Sequence, residues 1–440
     1  MTELAIDPKY ITKAVTDLGA RHAVVTTQAI FNDRGIKIIE KNVQINADLY
    51  ERLMAHALTQ PIEDSVTSTA IVTGSMLRAR AEQSLRELPF FARLGADGTT
   101  HNVLLDTLEK LTLPAPLAFQ LMIACEVQPA LFHRSVDMAL FAAWLTLGPL
   151  VTRFDISLAA SAGLLHDLGM LHLDPVLLTP RQDIDRDQRR QLYAHPLVCT
   201  ALIERHHQYP RELLRAIKEH HEFIDGSGYP SNLSGPAISP LGRILSIGEL
   251  VTTMLAPQSE ACEFRLSVLL RMNRHRYDAA LLERVLQHLQ PHTNLPANDA
   301  VAAMHADPVS RLMEIDAVLS DWPADPVLKE SLKGPRREGM AAVAEQAAQL
   351  HRTLASVGVA PQQLAQVGSV AQDSFLQSEL LLLAQEATWQ LRTLARQARR
   401  RWQLEPGGQY PDALGAWLQR VDALTSSLQS HAPTPSDDAA

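Results

Sequence analysis

The sequence predicts a mainly α-helical protein: a helical bundle that follows a small mixed α/β module at the N-terminus and precedes a helical C-terminal extension. Three observations support this fold class. Apolar residues recur three and four positions apart through most of the chain after about residue 100, which is the spacing of one helix face. Breaks rich in proline, glycine and asparagine separate these segments. Runs of β-branched residues, which favour strands, concentrate in residues 21–50.

The N-terminal module is predicted to span residues 1–70. Residues 22–27 and 35–39 carry β-branched runs separated by turn-forming residues, so we expect two short strands there. From Asp48 onward the apolar residues have helical spacing. We expect this module to be regulatory, and residues 71–119 to form a helical region that links it to the next domain.

The central domain, residues 120–256, is predicted to consist of successive helices. Pro129 suits a first helical turn because the N–H that proline lacks would have no partner there. Asp155 is predicted to be the N-cap of a later helix. Residues 225–238 are rich in Gly, Ser, Pro and Asn and therefore predict a loop.

The C-terminal region, residues 257–430, is also predicted to be helical. Leu380, Ala384 and Leu391 belong to one apolar stripe, with several arginines beside it. A packed helix with a solvated basic face explains this pattern, and a helix that docks a partner is the alternative. Residues 431–440 contain mainly Pro, Ser, Asp and Ala and are expected to be disordered.

Composition excludes several classes of protein. Forty Lys and Arg against 49 Asp and Glu give a net charge of −9, which argues against a general DNA-binding protein. The best apolar stretch, residues 138–151, is shorter than the roughly 18 residues of a membrane span. No basic and then apolar leader begins the sequence. Three widely spaced cysteines exclude a disulfide framework and fit a reducing compartment, so we expect a cytoplasmic protein without a membrane partner.

Histidine is concentrated in one part of the chain, where eight of the 17 histidines fall between residues 133 and 221. A subset is regularly spaced along the sequence: His133, His166 with Asp167, His195, and His220 with His221. Each interval is about the length of one helix plus a connection. Four successive helices could therefore each direct a ligand toward a common centre.

The residue types of this set suit a transition-metal site, because imidazole nitrogen and carboxylate oxygen together bind Fe, Mn, Zn or Ni. Neighbouring helical positions point about 100° apart, so one ion would not normally collect both His166 and Asp167. Two ions could do so if Asp167 bridged them. Two ions that share a carboxylate and a water generate a hydroxide near neutral pH and neutralise charge in phosphoryl displacement, which indicates phosphoester hydrolysis.

The last histidine pair opens a highly patterned loop, residues 220–230, with the sequence HHEFIDGSGYP. Gly226 and Gly228 permit turns with positive φ and close backbone approach. Together with the His166-Asp167 step, this segment resembles the signature of HD-GYP proteins, a branch of the HD-domain metal-dependent phosphohydrolases. The resemblance covers about residues 120–255.

This resemblance implies an HD-domain helical bundle that hydrolyses a cyclic dinucleotide, most often cyclic di-GMP, to the linear dinucleotide or to GMP by a metal-bridging hydroxide. It implies two divalent transition-metal ions, with Fe or Mn favoured and Zn or Ni compatible, whose ligand sets share one aspartate. The sets are His133, His166 and Asp167 for one ion, and Asp167, His195, His220 and His221 for the other. Glu249 stands where the family usually places its final aspartate ligand. Asp167 and His166 would be catalytic, and the predicted substrate contacts are Arg243, Gly226, Gly228 and Tyr229.

Two departures from the family pattern bear on activity. Members with three metals carry a glutamate at the position of Pro129, so we expect two ions at most. Met170 stands where a lysine is usual, and methionine offers neither charge nor donor. One alternative is therefore a weak or inactive HD-GYP protein that senses a nucleotide or docks diguanylate cyclases through the loop at Tyr229. A structural helical module with incidental histidines is a third hypothesis. The oligomeric state is left open.

Overall fold

A computed structural model describes residues 8–178, 185–255, 262–290, 307–322, 335–367, 374–401 and 412–426. These residues are mainly helical with a few short strands, which confirms the predicted fold class. They divide into two compact units. One contains the described residues between 1 and 257 together with 275–288, and the other contains those between 258 and 274 and between 289 and 433. The tail predicted to be disordered, 431–440, lies outside the described residues.

The N-terminal module is mixed, as the sequence predicts, and its elements are short. In chain order they are α1 (Pro8–Gly19), β1 (Val24–Thr26), β2 (Ile30–Phe31), β3 (Lys37–Ile39), α2 (Tyr50–Met54) and β4 (Val66–Ser68). Strand β1 pairs antiparallel with β4, and β2 pairs antiparallel with β3. Ile11, Val15 and Leu18 form the buried face of α1. Strands β2 and β4 lie outside the two runs that predicted strands, so the sequence did not predict them.

The region between the module and the central domain is helical and consists of α3 (Gly74–Glu87), α4 (Pro89–Leu94) and α5 (Gly98–Glu109). Thr73 caps α3 by accepting a hydrogen bond from the Met76 N–H, and the Asp97 carboxylate caps α5. Asp137 of the central domain is buried against this region, where Arg80 Nη2 lies 3.3 Å from its carboxylate. These helices therefore pack directly on the domain that follows.

Six helices of the central domain surround the predicted ligands. They are α6 (Ala115–Val127), α7 (Pro129–Thr146), α8 (Arg153–Leu165), α9 (Arg186–Glu204), α10 (Arg211–Glu219) and α11 (Pro240–Met254). Helix α7 packs against α6, α8 and α11 and is buried on every side from residue 135 to 145. Pro129 begins α7 as predicted. Thr152, not Asp155, is the N-cap of α8, because Asp155 at the third helical position accepts the Thr152 N–H in a capping box.

The second unit is helical, as the C-terminal region was predicted to be. Its helices are α12 (Cys262–Met272), α14 (Pro308–Ser320), α15 (Pro335–Ser356), α16 (Pro361–Val367), α17 (Ser374–Arg401) and α18 (Asp412–Ser426), while α13 (Ala279–His288) belongs to the first unit. The apolar stripe of α17, including Leu380, Ala384 and Leu391, is buried in the core of this unit. Burial of the stripe supports the packing explanation of its pattern. Among the described helices, none combines the length and the apolar character needed to cross a membrane.

Candidate metal centre

Two sets of potential ligand atoms meet in the central domain, and each set lies within 4.8 Å. The three-histidine group consists of Asp167, His195, His220 and His221. The two-carboxylate group consists of His166, Asp167 and Glu249. All six residues are buried, and Asp167 belongs to both groups. Six of the seven predicted ligands are therefore brought together.

Helix ends explain how neighbouring residues in the sequence can face the same point. Helix α8 ends at Leu165, and Asp167 has φ −108° and ψ 9°, which lies outside the helical region. A 3-10 turn, Leu168–His172, follows directly. His220 and His221 likewise follow the last residue of α10. Leaving the regular helix cancels the 100° offset between adjacent positions, so both members of each pair turn inward.

Backbone carbonyls set the tautomer of three of the histidines. In each case the ring Nδ1 lies within hydrogen-bond distance of the carbonyl three residues earlier: His166 to Gly163 at 2.7 Å, His195 to Leu192 at 2.6 Å, and His220 to Ile217 at 2.6 Å. A carbonyl can only accept, so each Nδ1 carries the hydrogen and each Nε2 presents a lone pair in the neutral ring.

These carbonyls are available for a reason that can be read from the local sequence. Gly163 and Ile217 lie in the last turns of their helices, where carbonyls lack a helical N–H partner. Leu192 lies in the middle of α9, but the residue four positions later is Pro196, which has no N–H. His195 therefore occupies a carbonyl that the proline leaves open. The same device fixes the ring at a helix end and inside a helix.

The three-histidine group has the donor set of a cation site. His195 Nε2 lies 3.1 Å from His220 Nε2 and 3.2 Å from His221 Nε2. Because the carbonyls fix the tautomers of His195 and His220, their Nε2 lone pairs face each other and repel unless a cation lies between them. Asp167 Oδ1 is buried without a hydrogen-bond partner among the described residues, and His195 Nε2 lies 3.3 Å from it. A buried carboxylate oxygen with no donor and convergent imidazole nitrogens fits a divalent transition metal.

The electrostatics of the two groups differ. Burial and the neighbouring rings of His220 and His195 hold the pKa of His221 well below its usual value, so this imidazole is neutral. Burial alone would lower the pKa of His166, but the Asp167 and Glu249 carboxylates outweigh it and raise that pKa to about 10. Burial likewise lowers the pKa of His220, so the three-histidine group places neutral imidazoles of His220 and His221 beside the Asp167 carboxylate, while the two-carboxylate group attracts positive charge.

Arg134 supplies such a charge, and sequence reasoning missed it. Its guanidinium forms an ion pair with Asp167 Oδ2, and Nη1 lies 3.6 Å from Glu249 Oε1. The predicted ligand His133 is exposed on α7 and belongs to neither group. Adjacent positions of a helix point about 100° apart, so only one of these two residues can face the centre. Because α7 is buried all round beyond this point, its apolar pattern carried no signal for the choice.

The glycine-rich loop packs against His221, one residue of the three-histidine group. Gly226 has φ +79°, and a Cβ on Gly228 would lie 2.4 Å from the His221 carbonyl oxygen. The Tyr229 N–H donates to that carbonyl at 3.0 Å. The Tyr229 ring stacks on His221 at 4.6 Å and on Tyr193 at 4.2 Å between centroids. Of the three loop residues predicted to contact substrate, Gly228 and Tyr229 thus lie against the predicted ligand His221, while Gly226 forms a turn with positive φ.

The other predicted polar contact is engaged elsewhere. Arg243 donates from Nη1 to Asp278 at 3.1 Å, from Nε to the Ile238 carbonyl and from Nη2 to the Gly235 carbonyl. It belongs to neither ligand group and closes the end of the loop. Met170 is buried in the 3-10 turn after Asp167, so this position brings no cation to the centre.

Comparison with known proteins identifies the domain that holds these residues. Residues 121–281 match the family model described as an HD domain. The chain is 30% identical over 95 residues to 3'3'-cGAMP-specific phosphodiesterase 3 of Vibrio cholerae serotype O1, an alignment that covers 22% of this chain and 20% of that protein. It is 29% identical over 149 residues to a cyclic di-GMP phosphodiesterase of the same organism, covering 31% of this chain and 30% of that protein.

A third relative is a cyclic di-GMP phosphodiesterase response regulator of Xanthomonas campestris pv. campestris. It is 30% identical over 111 residues, which cover 24% of this chain and 29% of that protein. The chain thus spans between a fifth and a third of the length of these curated relatives. Residues 121–281 thus match an HD domain, and the paired motifs at 166–167 and 220–230 both lie within this match.

Proposed function

We propose that the chain is a metal-dependent phosphodiesterase that hydrolyses a cyclic dinucleotide, with cyclic di-GMP as the favoured substrate. One observation carries this proposal: the convergence of Asp167 Oδ1 with the Nε2 atoms of three buried histidines, with the rings of His195 and His220 held by backbone carbonyls. A divalent ion bound there would activate water and neutralise negative charge on a phosphodiester.

The substrate class follows from the relatives. The printed names of the curated relatives describe hydrolysis of cyclic di-GMP or of 3'3'-cGAMP by those proteins. Both are cyclic dinucleotides with two phosphodiester bonds, so the shared chemistry is attack of water on phosphorus. We extend this chemistry to the present chain and leave to experiment which two bases the preferred cyclic dinucleotide carries.

The metal content predicted from the sequence is two transition-metal ions, with Fe or Mn favoured. The mixed nitrogen and oxygen donors support this choice of metals, and Zn or Ni would also be accepted. The three-histidine group offers four donors to an ion. The two-carboxylate group offers three donors and also holds the Arg134 guanidinium.

The chain's own residues would divide the remaining work. Asp167 joins the two groups, since Oδ1 faces the histidines and Oδ2 faces Arg134. Its pKa, which burial alone would raise, is held well below the usual value by His166 and Arg134, so it stays ionised as a ligand. Tyr229 would hold the His221 ring in place by stacking.

A second candidate function is nucleotide sensing, or docking of diguanylate cyclases, without turnover. Two observations favour it. Met170 is apolar and buried at the position where the family usually has a lysine. The guanidinium of Arg243 donates its hydrogen bonds to Asp278 and to two backbone carbonyls. Both features reduce the cations available to grip a phosphodiester.

One experiment separates the two candidates. Protein purified anaerobically is analysed for metals, loaded with Mn²⁺ or Fe²⁺, and incubated with cyclic di-GMP, with products followed by chromatography. We expect a linear dinucleotide or GMP from the wild type and none from Asp167→Ala. If the metal-loaded wild type binds cyclic di-GMP but leaves it uncut, the sensor function is supported and the phosphodiesterase function is refuted. Absence of bound metal would remove both the hydrolytic mechanism and its premise.

A further inference from the structure

A permanent positive charge lies against the two-carboxylate group. The Arg134 guanidinium, on α7, pairs with Asp167 Oδ2 and lies 3.6 Å from Glu249 Oε1. Guanidinium stays protonated at any pH that the folded protein meets, so this charge cannot be removed by titration. It carries only hydrogen-bond donors and has no lone pair for a metal ion, so it can never serve as a metal ligand.

Asp167 connects this cation to the histidines. Its Oδ1 faces His195 Nε2 at 3.3 Å and His220 Nε2 at 3.6 Å, while Oδ2 takes the guanidinium and lies 3.3 Å from His166 Nε2. One carboxylate thus bridges a set of lone pairs on one side and a positive charge on the other. A carboxylate that bridges two metal ions has the same arrangement, but here the guanidinium of Arg134 occupies one side.

The donor counts of the groups agree with this assignment. The three-histidine group contains four donors, and no Lys or Arg ion pair to it is formed among the described residues except that of Arg134 with Asp167. The two-carboxylate group contains three donors, and two of its carboxylate oxygens, Asp167 Oδ2 and Glu249 Oε1, face Arg134, while Glu249 Oε2 lies 3.2 Å from His166 Nε2. A divalent ion there would compete with the guanidinium for these oxygens and be repelled by it.

We propose that this centre binds a single transition-metal ion in the three-histidine group, and that the Arg134 guanidinium takes the place of the second ion. This inference rests on the proposed function, since it narrows the metal content of the same site. A guanidinium also matches the oxygens of a phosphate group in shape and charge. Arg134 would therefore supply the neutralising charge that the apolar Met170 does not.

Metal counting on the full-length protein tests the proposal. Protein stripped with a chelator is reloaded with Mn²⁺, freed of unbound ion, and analysed for manganese per chain and by electron paramagnetic resonance. We expect one ion per chain in the wild type, with the spectrum of an isolated Mn²⁺. In Arg134→His the cation is gone and a fourth donor is added, so we expect two ions per chain with a spin-coupled spectrum. Arg153→His, which places the same change at an exposed position of α8, should remain at one ion.

Several outcomes overturn the proposal. Two coupled ions in the wild type would show that the guanidinium yields to a second metal. A folded Arg134→His protein that still holds one ion would show that Arg134 does not limit the count. If that variant fails to fold, the wild-type count and spectrum decide by themselves. One ion per chain without hydrolysis of cyclic di-GMP would keep this inference and refute the proposed function. Two ions per chain with hydrolysis would keep the proposed function and refute this inference. Absence of bound metal would refute both.

Discussion

Replacing Gly228 by alanine should damage the centre through the backbone that carries His221. A Cβ at this position would lie 2.4 Å from the His221 carbonyl oxygen, 2.5 Å from Glu222 Cα and 2.6 Å from Phe223 N. All three are backbone atoms, so no side chain can rotate away, and the loop or the end of α10 must move. Overpacking of this kind costs about 1–3 kcal/mol of folding free energy.

The effect on metal binding should exceed the effect on stability. Tyr229 follows the substituted residue, donates to the His221 carbonyl at 3.0 Å and stacks on its ring. Moving this support changes the direction of a ligand, and loss of such supporting contacts lowers metal affinity about 10–100-fold. We therefore expect Gly228→Ala to lose thermal stability by roughly 2–4 °C per kcal/mol and to bind Mn²⁺ more weakly by that factor.

Two matched glycine variants make the test specific. Gly98 at the start of α5 has no atom within 4 Å of a built Cβ, so Gly98→Ala should match the wild type in both measurements. Gly226 has φ +79° and one contact at 3.3 Å, so Gly226→Ala should cost about 1–2 kcal/mol from backbone strain. Calorimetry gives the stability and titration calorimetry the affinity. Equal Mn²⁺ affinity in Gly228→Ala and Gly98→Ala would refute the reasoning.

Three further predictions follow from the same contacts. His133→Ala should keep the metal content of the wild type because His133 is exposed and outside both groups, whereas His195→Ala should lose it; elemental analysis of both decides. Burial raises the pKa of Glu63 to about 7, so this carboxyl costs stability as pH rises from its unfolded pKa through 7; Glu63→Gln should be more stable than wild type at pH 8 by up to about 3 kcal/mol and nearly equal at pH 4 in urea unfolding. Arg243→Ala should lower the unfolding free energy by about 1–3 kcal/mol through three lost hydrogen bonds and leave the metal count unchanged. A lower metal count in that variant than in the wild type would assign Arg243 to the centre.

The centre is assembled from local breaks in helices. Two pairs of adjacent residues follow the ends of α8 and α10, and a proline within α9 leaves the carbonyl that holds His195. Each break is encoded within a few residues of the ligand it serves. This explains why a site that draws on four segments of the chain can be recognised in the sequence without knowledge of the packing.

The sequence by itself therefore determined the helical class, the mixed N-terminal module, and six of the residues that meet at the centre. These features depend on helical periodicity, on proline and glycine, and on the spacing of histidines, all of which act over short stretches of chain. The domain boundaries stay predictions.

Only the tertiary structure decided between His133 and Arg134, because the rotation of α7 about its axis depends on what its neighbours pack against it. For the same reason only the structure could direct Arg243 to Asp278, a residue 35 positions further along the chain. Spacing places a residue on a helix, but the partners that a long charged side chain meets are set by packing. The identity of the second cation at the centre is a property of that packing.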